Sequence, residues 1–292
     1  MTVSKLRTRN HSVVLNRSAG GDFGITIFLV LLGVLMFLPL YYTVMQSFKP
    51  LDELFYYPPR FYVVNPTWKN YADLFKLMSE SWVPFSRYIF NTVFITVFGV
   101  FGNLVLSSLC AYALSKIPFP GNGFFFQLIQ KSLMFSTSVG GIIVFVIISW
   151  MGLMDNLLSI LLPAWCSTLG LYLMKQFMDT NVTTAVLESA RLDGASELRT
   201  FWSIAMPMVK PAWLTLIIYS FQGLWNSGAS IYIYSEELKT LNYAMTQVLT
   251  AGVARSGATA ASGVIMMAVP ILVFVISQSQ IIETMGSSGM KD

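Results

Sequence analysis

The stretch NVTTAVLESARLDGASELRTFWSIAMP, residues Asn181 to Pro207, is the one long polar and charged segment in the second half of an otherwise apolar chain. Residues 182–192 have the pattern of a short helix, with Thr183 or Thr184 available to cap its first amides. Gly194 can adopt the left-handed conformation that ends a helix and turns the chain sharply. The stretch therefore predicts a helix-turn-helix between two membrane spans.

The second half of this stretch has a helical periodicity of its own. Ser196 is placed to cap a helix that Pro207 closes. The apolar residues of that helix follow the spacing i, i+3, i+4, i+7 of one helical face: Leu198, Phe201, Trp202 and Ala205. In the first helix, Glu188 lies one turn from Arg191, so the two charges can neutralise each other.

Composition predicts an all-α polytopic membrane protein. Hydrophobic residues make up 55% of the chain and charged residues only 11%. Several apolar runs reach about twenty residues, the length that crosses a bilayer as a helix. Both termini are expected on the cytoplasmic side, where basic residues collect. Six transmembrane helices are predicted, at about 23–45, 88–114, 124–151, 157–174, 211–232 and 258–282.

The amino-terminal residues are basic and precede the first apolar run. A cleaved signal peptide would share this pattern, but the run 23–45 is too long for a signal segment and lacks a small-residue cleavage site. We therefore expect a cytoplasmic basic tail at 1–22 and a transmembrane domain at 23–292. Within that domain, 47–84 is expected as an exterior loop and 178–208 as a cytoplasmic loop.

The chain lacks the residues that several kinds of catalytic or binding site require. His11 is the only histidine, which argues against histidine-based catalysis and the usual zinc sites. No phosphate loop of the G-x-x-x-x-G-K-[ST] type is present, and the mild basic excess suits a membrane protein without nucleic acid. Cys110 and Cys166 are expected to be small buried hydrophobes rather than a disulfide or metal pair. Lys131 is either functional within a span or extends its amine to the interface, which we favour.

Fixed spacings within the opening stretch separate six residues: Glu188, Ser189, Ala190, Gly194, Ile204 and Pro207. This pattern resembles the EAA signature of permease subunits of ATP-binding-cassette (ABC) importers, written E-A-A, three residues, G, nine residues, I-x-L-P. Ser189 stands in place of an Ala and Met206 in place of Leu. In that class the hairpin docks on a separate ATPase. The resemblance implies that Glu188 is the charge anchor, Ala190 a close-packing contact and Gly194 the turn.

Two further segments are similar to carbohydrate-importing, MalG-like members of this class. One lies in the predicted exterior loop, as SFKPLDE at 47–53, PP at 58–59 and NPTWKNY at 65–71. The other is the pair Trp225 and Asn226, which resembles a W-N-D element although Ser227 replaces the acid. Apart from the basic tail, nearly the whole chain shares this resemblance.

The resemblance implies a type I ABC importer permease fold in a prokaryotic cell membrane. The chain would form half of the path for a sugar or oligosaccharide delivered by an extracellular or periplasmic sugar-binding protein. Its other partners would be a second, MalF-like permease in a heterodimer and a cytosolic ABC ATPase dimer. ATP and magnesium would bind the ATPase, and this chain would bind no cofactor and catalyse no reaction. The substrate-binding residues remain unknown.

A second interpretation is a stand-alone secondary transporter or channel whose hairpin only connects two spans. The predicted spans contain no Asp or Glu well inside the membrane, where ion-driven transporters usually carry acids or broken helices that bind the ion. This absence disfavours the second interpretation. Aromatic faces that could stack on a sugar ring are present on either interpretation, at Trp150, Trp165, Tyr219 and Trp225.

Overall fold

The computed structural model describes residues 19–79, 82–135, 137–227, 231–249, 252 and 255–288. These residues form helices and connecting turns with no strand among them, so the predicted all-α class is confirmed. The α-helices, in chain order, are α1 (Ala19–Phe48), α2 (Leu51–Leu54), α3 (Lys69–Ser79), α4 (Phe85–Lys116), α5 (Asn122–Ser132), α6 (Thr137–Trp150), α7 (Leu158–Trp165), α8 (Thr168–Asn181), α9 (Thr184–Leu192), α10 (Glu197–Thr200), α11 (Met206–Met208), α12 (Lys210–Trp225), α13 (Leu241–Leu249) and α14 (Ser256–Ser288). A π-helical stretch, Phe201–Ala205, joins α10 to α11, and a 3-10 turn, Glu236–Leu238, precedes α13.

Within the described residues, 4 helical segments are long and apolar enough to span a membrane: Gly21–Phe48, Phe85–Lys116, Leu158–Asn181 and Ser256–Gln278. A fifth is obtained when the bent pair Glu197–Met208 and Lys210–Trp225 is counted as one span. The chain is thus a multi-pass membrane protein, and the number of six spans stays a prediction. Because α1 already begins at Ala19, the first span overlaps the predicted tail, whose residues 1–18 lie outside the described part.

The predicted third span, 124–151, is wrong as a continuous helix. It consists of α5 and α6, separated by a turn at Leu133–Phe135. At the end of α5 the Ser132 hydroxyl donates a hydrogen bond of 2.7 Å to the Ile129 carbonyl. The predicted fifth span is also too long, since α12 ends at Trp225.

Helix α4 is the centre of the fold and packs against α7, α8 and α12. Hydrogen bonds satisfy several of its buried polar side chains, as burial in a membrane protein favours. The Asn103 side-chain amide donates to the Ser220 hydroxyl over 2.7 Å, and the Ser107 hydroxyl donates to the Asn103 Oδ1 over 2.8 Å. Gly170 of α8 lies so close that a Cβ there would be 2.9 Å from the Asn103 Oδ1. A small residue at this position therefore lets α8 approach α4.

The predicted exterior loop at 47–84 contains a helix that packs on the bundle, and so does the segment 236–255, which the apolar pattern leaves outside the predicted spans and which we also expect as an exterior loop. Leu74 and Met78 of α3, and Leu241 and Met245 of α13, are buried in one cluster with the first turns of α14. The expectation of plain connectors was therefore incomplete. The short apolar faces of α3 and α13 are buried because the folded bundle brings the first turns of α4 and α14 together beside them.

The surface of the bundle is strongly apolar. In α1 the most apolar window is 0% buried, as expected for a helix that faces lipid or another subunit. Cys110 and Cys166 are both free, which agrees with the expectation of no disulfide, but both are exposed. The prediction that they are buried is wrong because apolar runs in a membrane protein also cover its outer surface.

Candidate functional site

The turn of the hairpin is built as the sequence predicts. Gly194 has φ +79°, the left-handed conformation. The Ala195 amide donates to the Ala190 carbonyl over 3.0 Å, and the Gly194 amide donates to the Arg191 carbonyl over 3.0 Å. This pair of bonds is the Schellman motif, which satisfies carbonyls at the end of α9. Thr183 occupies the capping position at the start of α9, but its side chain accepts no capping bond.

The second arm of the hairpin begins at its predicted cap. The Ser196 hydroxyl accepts a hydrogen bond of 3.4 Å from the Arg199 amide. The helix continues through the π-helical stretch and through Pro207 to Met208, so Pro207 lies within its last turn rather than beyond it. The chain then bends by 84° into α12. The hairpin is therefore joined rigidly to a membrane helix at a sharp corner.

One face of α9 is buried against the second arm and against α4 and α8. Leu187 is 1% exposed and Ala190 is 7% exposed. Leu187 belongs to a buried cluster, here called the hairpin core, whose other members are Ala111, Tyr112, Met174, Met178, Val182, Phe201, Ala205, Met206, Val209, Ala212 and Leu216. This cluster joins the hairpin to three long helices, so the hairpin has little freedom to move separately from them.

The six predicted coupling residues divide between the two faces of the hairpin. Glu188, Ser189 and Gly194 are exposed on its outer face, and Pro207 is exposed in the last turn of the second arm. Ile204 is half-buried against the hairpin core. Ala190 is buried at 7% exposure, so the close packing it makes here is with its own chain.

Arg191 binds Glu197 rather than Glu188. Its Nε lies 2.7 Å from the Glu197 Oε1 and its Nη2 lies 3.4 Å from the Glu197 Oε2. The hydroxyl of Tyr112, at the hairpin end of α4, donates to the Glu197 Oε2 over 3.1 Å. Neutralisation of Glu188 by Arg191 was therefore the wrong alternative, because the turn at Gly194 brings the acid of the second arm to the guanidinium. We call these three side chains the clamp.

The clamp also sets the ionisation of its members. Hydrogen bonds from Arg191 lower the pKa of Glu197 below its usual value, and the bond from Tyr112 acts in the same direction. The bond to Glu197 raises the pKa of Arg191. Arg191 and Glu197 are therefore both ionised at neutral pH. In contrast, the Glu188 carboxylate makes no hydrogen bond or ion pair to the described residues, so its charge faces outward unpaired.

Glu197 and Tyr112 were missed by the sequence reasoning. Glu197 carried a signal, since it follows the capping Ser196 and lies just across the turn from Arg191. Tyr112 carried none, because it lies in an apolar run far away in the chain. Exposed apolar side chains also surround this outer face: Leu192 at 89%, Leu198 at 66% and Trp202 at 48% exposure.

A second charged group lies near the same end of the bundle. The Lys175 amine is 2.6 Å from the Asp179 Oδ2 and 4.0 Å from the centre of the Phe126 ring. The Ser115 hydroxyl of α4 donates to the other oxygen of Asp179. This group ties α8 to α4 and α5. By comparison, Lys131 is exposed at the end of α5, and the extension of its amine to the interface stays a prediction.

Two of the candidate aromatic faces are used for packing. The indole nitrogen of Trp225 donates to the Met266 carbonyl over 3.2 Å, and its ring stacks on Phe221. Trp165 donates to the Phe98 carbonyl over 2.9 Å. Tyr219 and Trp150 are exposed. Asn226, the partner of Trp225 in the sequence element, caps α12 through a bond of 2.9 Å to the Gln222 carbonyl.

The site contains no recognisable catalytic centre. Within the described part of the chain, no group of three or more His, Cys, Asp or Glu side chains is placed to hold a metal ion. What the hairpin does offer is an outward carboxylate among exposed apolar residues, on a rigid base. This arrangement suits contact with another protein.

Residues 134–285, which include the hairpin, match the family described as "Binding-protein-dependent transport system inner membrane component". This match covers more than half of the chain. The chain belongs to this family. The resemblance to permease subunits seen in the sequence is thereby confirmed, and the family is one of transporter permeases rather than enzymes.

Relatives of this permease include protein LplC of Bacillus subtilis (strain 168), which is 30% identical over 239 residues, or 80% of this chain and 78% of the relative. The galactooligosaccharides transport system permease protein GanQ of the same organism is 26% identical over 271 residues, or 90% of this chain and 93% of the relative. A crystal structure of a bacterial ABC transporter involved in the import of the acidic polysaccharide alginate contains a similar chain. It superposes with a TM-score of 0.76 at 24% identity, covering 90% of this permease and 98% of that chain.

Proposed function

We propose that this permease forms half of the membrane path of an ABC importer for a sugar or oligosaccharide. A solute-binding protein delivers the solute on the exterior side. ATP, with magnesium, is hydrolysed on separate cytosolic subunits that dock on the hairpin. The relatives that import galactooligosaccharides and alginate support the substrate class, since both of those solutes are carbohydrates.

The observation that carries this proposal is the arrangement of the hairpin. Its outer face presents the Glu188 carboxylate, which has no partner among the described residues, while Leu187 fastens its inner face to the bundle through the hairpin core. An exposed acid that has no partner among the described residues is available to a basic group on another protein. Because the base of the hairpin is buried, a displacement of the docked ATPase would move α4, α8 and α12 as well. Closure and opening of the ATPase dimer can then bias the state of the path.

The remaining partners follow from the rest of the molecule. We propose that a second permease subunit covers part of the apolar surface of α1 and completes the path as a heterodimer. The segment 47–84, at the end opposite the hairpin, would receive the solute-binding protein. We propose that the permease lies in the cell membrane of a prokaryote, with the basic tail 1–22 and the loop 178–208 on the cytoplasmic side.

The test is co-purification of the permease in detergent with the ATPase of its own cell. Glu188→Lys should lower the bound ATPase, and the hydrolysis stimulated by the binding protein, by at least about tenfold, since it replaces an attraction with a repulsion at the contact. Asp52→Lys is the matched control. It makes the same kind of charge reversal on an exposed acid of α2, at the opposite end, and should leave the bound ATPase unchanged.

A different result would support the second interpretation. If the wild-type permease brings down no ATPase, and the purified chain alone moves solute into vesicles, then the permease is a stand-alone transporter or channel. If instead the ATPase binds equally to wild type and to Glu188→Lys, the importer assignment stands and Glu188 is not its anchor.

A further inference from the structure

The clamp joins three elements that the chain order keeps apart. Arg191 lies in the last turn of α9, Glu197 in the first turn of α10 and Tyr112 near the end of α4. The two oxygens of the Glu197 carboxylate are shared, since Oε1 faces Arg191 and Oε2 also accepts the Tyr112 hydroxyl bond. One carboxylate thus fixes the two arms of the hairpin to each other and to a long helix. We propose that Glu197 is a positioning residue which transmits movement of the hairpin to α4.

Packing beneath the clamp gives it a fixed geometry. The ring of Tyr112 is 4% exposed and meets the ring of Phe201 edge-to-face, with centroids 5.4 Å apart. Phe201 itself is 1% exposed and follows directly after α10. The Tyr112 hydroxyl therefore cannot turn away without disturbing the hairpin core. The side chains of Arg191 and Glu197 are 39% and 49% exposed, so their pairing mainly orients the two arms.

Helix α4 has the length needed to transmit this movement. Tyr88 lies about 36 Å from Tyr112 along the helix axis, at the usual rise per residue. The Tyr88 hydroxyl donates to the Glu236 Oε1 over 2.9 Å, and the Asn91 amide donates to the Glu237 carbonyl over 2.7 Å. Both ends of α4 are therefore fastened by polar contacts, one to the hairpin and the other to the segment before α13. A rigid helix held at both ends moves both attached segments together.

The clamp also separates the tasks of the two acids in the hairpin. Arg191 is engaged by Glu197, so Glu188 stays free on the outer face. This inference rests on the proposed function, in which Glu188 contacts the ATPase. It adds that Glu197 does not bind the ATPase and instead sets how much transport each ATP molecule yields.

The experiment uses the complete transporter, with its ATPase and binding protein, in proteoliposomes. It measures the bound ATPase and the solute imported per ATP hydrolysed. Tyr112→Phe keeps the ring and removes only the hydroxyl, and Glu197→Gln keeps the shape and removes the charge. Both should retain the ATPase but lower the solute imported per ATP by at least about fivefold, the lower range of typical coupling between sites. Tyr234→Phe, which removes the hydroxyl of an exposed tyrosine outside the segment 47–84, is the matched control and should match wild type.

A charge exchange separates transmission from a general loss of structure. Arg191→Glu and Glu197→Arg should each lower the import per ATP, and the double variant should recover most of it, because the pair is restored with its charges exchanged. If Tyr112→Phe and Glu197→Gln import as much per ATP as wild type, the clamp does not transmit movement. If Glu197→Gln instead loses the ATPase, Glu197 belongs to the docking surface and the inference is wrong. A wild type that binds no ATPase would contradict the proposed function itself.

Discussion

Individual residues of the hairpin are placed by turn geometry rather than by their own helix. Glu188 and Glu197 are both exposed acids, yet among the described residues only Glu197 is held by a cation. The difference arises because the Gly194 turn folds the second arm back toward Arg191. At the residue scale the conformation of one glycine therefore decides which acid is left for another protein.

Gly194→Ala should destabilise the turn. A Cβ at Gly194 would meet no atom within 4 Å, so the cost comes from the backbone at φ +79° and not from a clash. A residue with a side chain in this conformation costs about 1–2 kcal/mol. Hydrogen exchange of the Ala195 amide, which donates to the Ala190 carbonyl, should be about five to thirty times faster.

Two further variants check the cause of this effect. Gly194→Asn should have a smaller effect than Gly194→Ala, because asparagine tolerates the left-handed region better. Gly123→Ala, in the first turn of α5, also meets open space but has no positive φ, and should leave the exchange of Ala195 unchanged. Equal rates in wild type and Gly194→Ala would contradict the role of the glycine conformation.

Elements of the bundle approach each other closely where one of them presents a small residue. Gly102 of α4 faces the indole of Trp165 at the end of α7, and a Cβ at Gly102 would lie 2.1 Å from the indole nitrogen. That nitrogen donates to the Phe98 carbonyl one turn earlier in α4. The contact between α4 and α7 therefore depends on the absence of a side chain at one position.

Gly102→Ala should force Trp165 to move and break its bond to Phe98. Overpacking of this kind costs about 1–3 kcal/mol, so the apparent melting temperature in detergent should fall by several degrees. Gly223→Ala in α12 is the matched control, since a Cβ there meets no atom within 4 Å. It should melt at the wild-type temperature or slightly above. Equal melting of both variants would mean that Trp165 repacks without cost.

At the scale of the whole molecule, polar contacts join segments at the end opposite the hairpin. Asp155, in the turn between α6 and α7, accepts hydrogen bonds from the Tyr234 amide at 2.9 Å and the Ser235 amide at 2.8 Å, and from the Ser235 hydroxyl. The bonds from Ser235 lower the pKa of Asp155, and the bond from Tyr234 adds to them. The segment before α13 is thus held by Asp155 from one side and by α4 from the other.

This contact should weaken only in acid. Because the pKa of Asp155 in the folded chain lies below its ordinary value of about 3.9, its contribution is complete above that value and is lost as the pH falls through the folded pKa. Corrected for intrinsic rates, amide exchange at Tyr234 and Ser235 should stay constant from neutral pH to about pH 4 and then rise. Asp155→Asn should raise it about threefold to tenfold at neutral pH. Unchanged exchange in this variant would show that other contacts hold the segment.

By itself, the sequence determined the features that depend on local pattern. Apolar runs of sufficient length predicted a helical membrane protein. The succession of Asp193, Gly194 and Ser196 predicted the hairpin, and its turn lies at Gly194 as predicted. The outward position of Glu188 follows from the same local geometry. Each of these features depends on residues that lie within about two helical turns of one another. Interactions over so short a distance can be predicted from the spacing of residues in the sequence.

Only the tertiary structure decided the features that need distant partners. Arg191 had two acids within reach, and the packing of Tyr112 against Phe201 places a hydroxyl beside one of them, Glu197. The break between α5 and α6, the burial of α3 and α13, and the exposure of both cysteines depend in the same way on which surfaces meet across the bundle. An apolar run shows that a segment avoids water. It does not show whether lipid, another helix or another protein covers the segment, because apolar side chains are favourable against all three.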